Sequence, residues 1–181
     1  SPLDESSLQV QLKNVREGTL DPKDYTATLA KAKAEALIDE KFCNVDVKTP
    51  TLVVGSDTIV ELNGKILEKP NTEAEAKVML TELSENSHFV HSGVAIFRIS
   101  GDTGAELVSS FVDTAKVTFA KLGAEDIDSY ILTGEPMDKA GAYGIQGIGG
   151  QFVTSILGDF FTVRTTVKGR TSFLSDFPPH T

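Results

Sequence analysis

The chain has 181 residues, with 17 basic against 26 acidic side chains, a formal charge of −9 and a pI near 4.8. A length of this order favours one domain with one sizeable core, and 40% hydrophobic with 24% charged residues is a globular rather than a disordered composition. So acidic a protein is a poor partner for nucleic acid, because phosphate-backbone binding needs a basic face; a polyanionic ligand must meet a local basic pocket instead. The longest apolar run, Val94 to Phe97, is four residues, whereas a membrane-spanning helix needs about 20, so no membrane partner is expected. The opening SPLDESS has neither an initiator Met nor a basic-then-apolar leader, which leaves the native start upstream of Ser1 open. Cys43 is the single cysteine and no intrachain disulfide can form, in keeping with a cytoplasmic protein.

Taken in chain order, Tyr25, Leu29, Ala32 and Ala36 recur at helical spacing and predict a helix over about 24–40, with Asp21 and Pro22 suited to its entrance. TLVVGSDTIV at 51–60 reads as a short strand buried on both faces, with Asp57 at or beyond its carboxyl end. Asn63-Gly64 between Ile59–Leu62 and Lys65–Leu67 predicts a hairpin that delivers Glu68-Lys69-Pro70. Thr72 and Glu75 form a capping-box pattern ahead of Ala76, Met79, Leu80 and Leu83, which predicts a helix over 73–84. Three strands are expected over 88–99, 106–114 and 116–121, the first two joined by a turn at Gly101–Gly104. A short helix over 125–132 ends at Gly134, and six of the 17 residues from 134 to 150 are glycine. A last strand over 152–157 follows. No repeat or low-complexity linker divides the chain, and the elements together are mixed α/β.

Several residues could carry chemistry. A carboxylate where an apolar strand runs out stands in the crevice that open α/β sheets use for ligands, although Asp57 also reads as a turn former and Thr58 as an ordinary strand residue. Lys69 is aimed by the proline after it, and it reads either as a phosphate ligand or as a solvated lysine. Lys33 reads as a solvated helix lysine. The segment 134–150 is harder to treat as a plain loop. Its glycines let backbone N–H groups approach an anion, Glu135 and Asp138 can hold a hard divalent cation, Lys139 can neutralise phosphate and Gln146 can pair with a base edge. These capacities suit a nucleoside triphosphate, yet neither GxxxxGK[ST] nor GxGxxG is present. His88 and His91, three apart on a strand, point to opposite faces and make no metal pair; no zinc cage and no GxSxG elbow is found.

GSDTIV at 55–60, ILEKP at 66–70, the ML..LS pattern at 79–84, HSGVAIF at 91–97 and GEPMDKAGAYGIQGIGG at 134–150 together resemble the Maf family of nucleotide pyrophosphatases, over roughly residues 1–163. The resemblance implies an inosine-triphosphate-pyrophosphatase-like α/β fold: an elongated mixed sheet with flanking helices and a central cleft between two lobes. It implies hydrolysis of a nucleoside triphosphate to the monophosphate and pyrophosphate with a divalent metal, Mg2+ or Mn2+. Asp57 then matches the proposed general base or a metal ligand, with Glu135 or Asp138 as further metal ligands. Thr58 matches the branch acting on dTTP and UTP, and Gln146 matches a second specificity position. Lys33, Lys69 and Lys139 match phosphate-cleft lysines, and Glu5 an acidic cleft residue. The chain begins after the point where relatives carry a strand and a Ser-x-x-Arg-Arg type loop, and VRTTVKGR at 163–170 replaces the expected stretch before a final helix. The resemblance leaves two other functions open: a nucleotide-binding or regulatory protein with impaired catalysis, and a pyrophosphatase for modified purines such as 7-methyl-GTP. The expected partner is a nucleoside triphosphate, and a homodimer is left open.

Overall fold

The computed structural model describes residues 21–42, 49–101 and 104–164. Glu5, Cys43, the tip of the Gly101–Gly104 turn and the altered stretch from residue 165 lie outside the described residues. The elements are α1 (Pro22–Phe42), β1 (Thr51–Leu62), β2 (Lys65–Leu67), α2 (Glu73–Leu83), β3 (Ser87–Ser100), β4 (Gly104–Phe119), α3 (Ala124–Leu132), three short 3-10 turns (Glu135–Asp138, Ala140–Ala142, Ile148–Phe152), β5 (Val153–Leu157) and α4 (Phe160–Arg164). The strands form one five-stranded sheet in the order β2-β1-β3-β4-β5, and the mixed α/β expectation holds. Among the described residues no helix is long and apolar enough to cross a membrane.

The residues group into two compact units. One comprises the described residues up to Asp57 together with Gly93–Val112, and the other comprises Thr58–Ser92 and the described residues from Asp113 on. In the first, α1 packs on the sheet through small side chains, and its core is Ala30, Ala34, Val53, Ala95, Phe97 and Ile99. Asp21 opens α1 by accepting the Lys23 N–H at 2.8 Å, with Pro22 following it as the sequence suggests. Tyr25 and Leu29 are buried as the spacing predicts, but beyond them the buried stripe departs from the predicted one. Ala30 and Ala34 are buried, while Ala32 and Ala36 are only half-buried. The reason lies opposite the helix. A β-carbon built on Gly55 would come 2.2 Å from the Ala30 carbonyl oxygen and 2.8 Å from the Ala34 β-carbon, so only glycine permits this approach.

In the second unit, α2 and α3 cover a core that includes Leu67, Leu80, Leu83, Val117, Phe119 and Tyr130. The β1–β2 hairpin forms as predicted, pairing Val60 with Leu67 and Leu62 with Lys65 through Asn63 and Gly64, both at positive φ. Thr72 caps α2 by accepting the Glu75 N–H at 3.2 Å, and Glu75 reaches back to the Asn71 N–H at 2.7 Å, one residue earlier than a capping box expects. Phe119 meets Tyr143 and His88 edge to face, with centroids 4.7 and 5.0 Å apart.

Three expectations are corrected. The strand carrying Asp57 does not end there; β1 runs on to Leu62, because Thr58-Ile59-Val60 are good strand formers and the carboxylate is neutralised from α1. It is not buried on both faces either, since several of its residues are half-buried and it pairs antiparallel with β2. The two strands expected over 106–121 are a single 16-residue strand, β4, because neither Gly nor Pro interrupts the run.

Candidate active site

In the first unit, Lys33 Nζ lies 2.6 Å from Asp57 Oδ1, and the two side chains are only 21% and 13% exposed. The tight α1–β1 packing at Gly55 is what brings them together, since Lys33 directly precedes the Ala34 that rests on that glycine. Lys33 is therefore not the solvated helix lysine that its sequence context suggests. In this partly dry setting the two opposite charges stabilise each other.

In the second unit, Thr58 Oγ1 is 2.8 Å from Ser92 Oγ, and Ser92 donates to the Thr162 carbonyl at 2.8 Å. The Thr162 hydroxyl in turn donates to Asp113. Lys69 is exposed on the segment after β2, and the preceding Glu68 carbonyl accepts the Gly141 N–H at 3.1 Å, which ties that segment to the glycine-rich loop. Lys139 pairs with Asp138, and its side chain lies against Gly144. Gln146 is exposed and donates its amide N–H to the Arg164 carbonyl.

The glycine-rich segment has a different internal logic from a phosphate cradle. Glu135 Oε1 accepts the Tyr130 hydroxyl at 2.9 Å and the Gly149 N–H at 3.1 Å, and its Oε2 accepts the Ile148 N–H at 2.9 Å. Tyr130 also accepts the Gly144 N–H at 3.2 Å. The loop amides are thus pointed at an anion the protein itself supplies. Burial pushes the Glu135 carboxyl up, but the Ile148 and Gly149 N–H groups, the Tyr130 hydroxyl and the Lys139 charge outweigh that and hold it below the usual carboxylate range. Burial raises the Tyr130 hydroxyl well above its ordinary value, with a further push from Glu135, so it stays a donor. A β-carbon on Gly147 would sit 2.4 Å from both Glu135 oxygens, which explains that glycine without invoking a ligand.

A divalent metal finds no ready protein cage. No three His, Cys, Asp or Glu side chains gather among the described residues. Glu135 does not fit as a ligand, because both its oxygens already serve loop donors. A nucleotide-bound magnesium needs only one or two carboxylates besides the phosphates, and Asp57 in the first unit or Asp138 in the second has suitable chemistry for that. His88 and His91 separate as expected: His88 bonds Tyr143 at 2.8 Å, while His91 bonds Glu61 and Thr114, each at 2.9 Å. Sequence reasoning missed Ser92 and Tyr130 as site-building residues. Ser92 sits in the quoted HSGVAIF stretch, but only strand register reveals that it faces Thr58.

The comparisons with known proteins point the same way. The model of the family described as Maf-like protein matches residues 3–164. A dTTP/UTP pyrophosphatase of Clostridium novyi (strain NT) is 46% identical over 139 residues, covering 77% of this chain and 68% of the relative. A dTTP/UTP pyrophosphatase of Clostridium perfringens (strain ATCC 13124) is 40% identical over 159 residues, 86% of this chain and 78% of the relative. One of Photorhabdus laumondii is 41% identical over 159 residues, 86% and 74% respectively. The matched span takes in both the Lys33–Asp57 pair and the loop organised by Glu135, and on that extent of agreement the chain belongs to the Maf-like protein family.

Proposed function

We propose that this chain is a nucleoside triphosphate pyrophosphatase that hydrolyses dTTP and UTP to the monophosphate and pyrophosphate. The observation that carries the reading is the agreement in name of relatives at least 40% identical over more than three quarters of the chain. Water attacks the α-phosphorus, a new P–O bond forms, and the bond to the oxygen bridging the α- and β-phosphorus breaks, so that pyrophosphate leaves. The proton lost by the water passes to Asp57 if that residue acts as the base, or to solvent if Asp57 serves a metal instead.

Lys33, Lys69 and Lys139 are assigned to offset the charge of the triphosphate, about four negative charges at neutral pH, which otherwise repels the attacking oxygen. Thr58 and Gln146 are assigned to nucleotide discrimination, and Glu5 to the acidic side of the substrate site. A bound Mg2+ or Mn2+ would polarise the α-phosphate and acidify the attacking water; Asp57 is the carboxylate assigned to hold it, with Asp138 as the alternative. The same reading places the protein in the cytoplasm acting on free nucleotides, independent of nucleic acid and membranes. A homodimer is the assembly to test by sedimentation.

Pyrophosphate release from dTTP and UTP, measured with Mg2+ or Mn2+ and after chelation, tests the reading. Release that stops on chelation supports it. Binding of dTTP without turnover would instead indicate a binding or regulatory protein, and faster turnover of 7-methyl-GTP would indicate the modified-purine activity.

A further inference from the structure

Tyr130, near the end of α3, is buried and packs edge to face on Phe152 with ring centroids 4.9 Å apart, so its hydroxyl has a fixed place. Proton counting assigns both of its bonds. The phenol has one proton, which goes to Glu135 Oε1 at 2.9 Å, because an ionised carboxylate can only accept. The oxygen's lone pairs then receive the Gly144 N–H at 3.2 Å. Gly144 is itself buried, so water does not readily take over that contact. The other side of Gly144 carries a lysine. A β-carbon there would sit 3.2 Å from Lys139 Cε, 3.6 Å from Lys139 Cδ and 3.3 Å from Glu135 Oε1, so the bare glycine is the bed on which the lysine stem lies. The Lys139 side chain is only 19% exposed, against 57% for Asp138, its chain neighbour and ion-pair partner. Glu135, fixed by three donors, adds a stationary negative charge that attracts the ammonium. A lysine covered in this way has few of the rotamers open to an ordinary surface lysine.

We propose that Tyr130 and Gly144 are positioning residues for Lys139: the tyrosine holds the Gly144 backbone, the glycine leaves room for the lysine stem, and the ammonium is in place before a triphosphate arrives. The inference rests on the reading of Lys139 as a phosphate contact. A mobile lysine loses its rotamer freedom only when ligand binds, and that cost is subtracted from affinity; a lysine already seated avoids it. The charge that Lys139 offsets belongs to phosphates common to every nucleoside triphosphate, so its placement affects all nucleotides alike. Gln146, two residues beyond Gly144, is the other contact assigned to this loop, and a shift there would instead change the choice of base.

The test is kcat/KM for UTP and for CTP, read by pyrophosphate release, in the wild type, Y130F, G144A, K139A and the two double variants that combine K139A with each of the others. Y130F deletes one hydroxyl and keeps the ring. G144A is mild, because Gly144 is not at positive φ and the new methyl pushes on the movable end of Lys139 and on Glu135. Each should lower kcat/KM by about tenfold, the scale of a small misplacement, and by the same factor for UTP and CTP. In the K139A background, where no ammonium is left to misplace, neither should cost more than about twofold further. A full additional loss in that background would reduce Tyr130 and Gly144 to a structural role and overturn the proposal. So would a changed UTP-to-CTP ratio, which would show that they act through Gln146. G144A answers both questions even if Y130F does not fold. Wild-type protein releasing no pyrophosphate from UTP would remove the functional reading itself, whereas active wild type with losses that add to that of K139A removes this inference alone.

Discussion

Asp57 shows what a sequence can and cannot say about one side chain. Its place after an apolar β-branched run marks it as a candidate, but the same run reads equally well as ending before it or continuing through it. The chain continues, and the carboxylate is tolerated in mid-strand because Lys33 lies 2.6 Å away. That partner was not legible, because the role of Gly55, one of the 23 residues between the two, in seating α1 on the sheet shows only in the packing. Asp57→Asn should lower turnover of dTTP by about 100- to 10 000-fold, the span attributed to a positioned acid or base. The amide keeps the size of the side chain, so thermal melts should show a stability loss of no more than about 2 kcal/mol, arising from the lost Lys33–Asp57 charge pairing. Hydrolysis at the wild-type rate would take Asp57 out of the reaction. Gln146→Ala should change the ratio of kcat/KM values among nucleotides more than the maximal rate for dTTP, and a uniform loss across a nucleotide panel would contradict its assignment.

Elements fared unevenly, and the reasons are physical. The hairpin at Asn63-Gly64 and the capped helix α2 were readable because each is set by a few adjacent residues. The length of β4 was not, since strand breaks are set by partners across the sheet rather than by local composition. The glycine-rich segment stood out by composition, but part of its chemistry is internal. Its glycines looked like a cradle for a visiting phosphate, whereas Gly147 is small to admit Glu135. Glu135→Ala should leave the Ile148 and Gly149 N–H groups and the Tyr130 hydroxyl without their acceptor, costing about 2–4 kcal/mol in denaturant unfolding. Hydrogen exchange at Ile148 and Gly149 should accelerate in the same variant, and unchanged protection there would mean that the carboxylate does not hold the loop. Gly55→Val should be as damaging for a different reason, because α1 would have to lift off β1 and carry Lys33 away from Asp57. Loss of stability and of turnover together is the expected outcome.

At the scale of the whole molecule, acid sensitivity has an identifiable source. Burial holds the His88 imidazole at a pKa of about 4, against 6.5 for an exposed histidine. It lies between Phe119 and Tyr143, bonded to the Tyr143 hydroxyl, and its Nδ1 meets no partner among the described residues. As pH falls below about 6.5 the unfolded chain takes up this proton first, so the stability contributed by neutral His88 is whole above that pH. It drains away as pH drops toward 4, by about 3 kcal/mol in all. Urea unfolding at pH 7 and pH 4 should therefore show a larger loss for the wild type than for His88→Gln, whose amide does not titrate. Identical losses would place the acid-sensitive group elsewhere. The internal occupancy of the loop amides also bears on medicinal chemistry. A compound bearing an acidic warhead aimed at those amides would find the docking points already filled by a resident side chain, and would have to evict it from an already negatively charged protein.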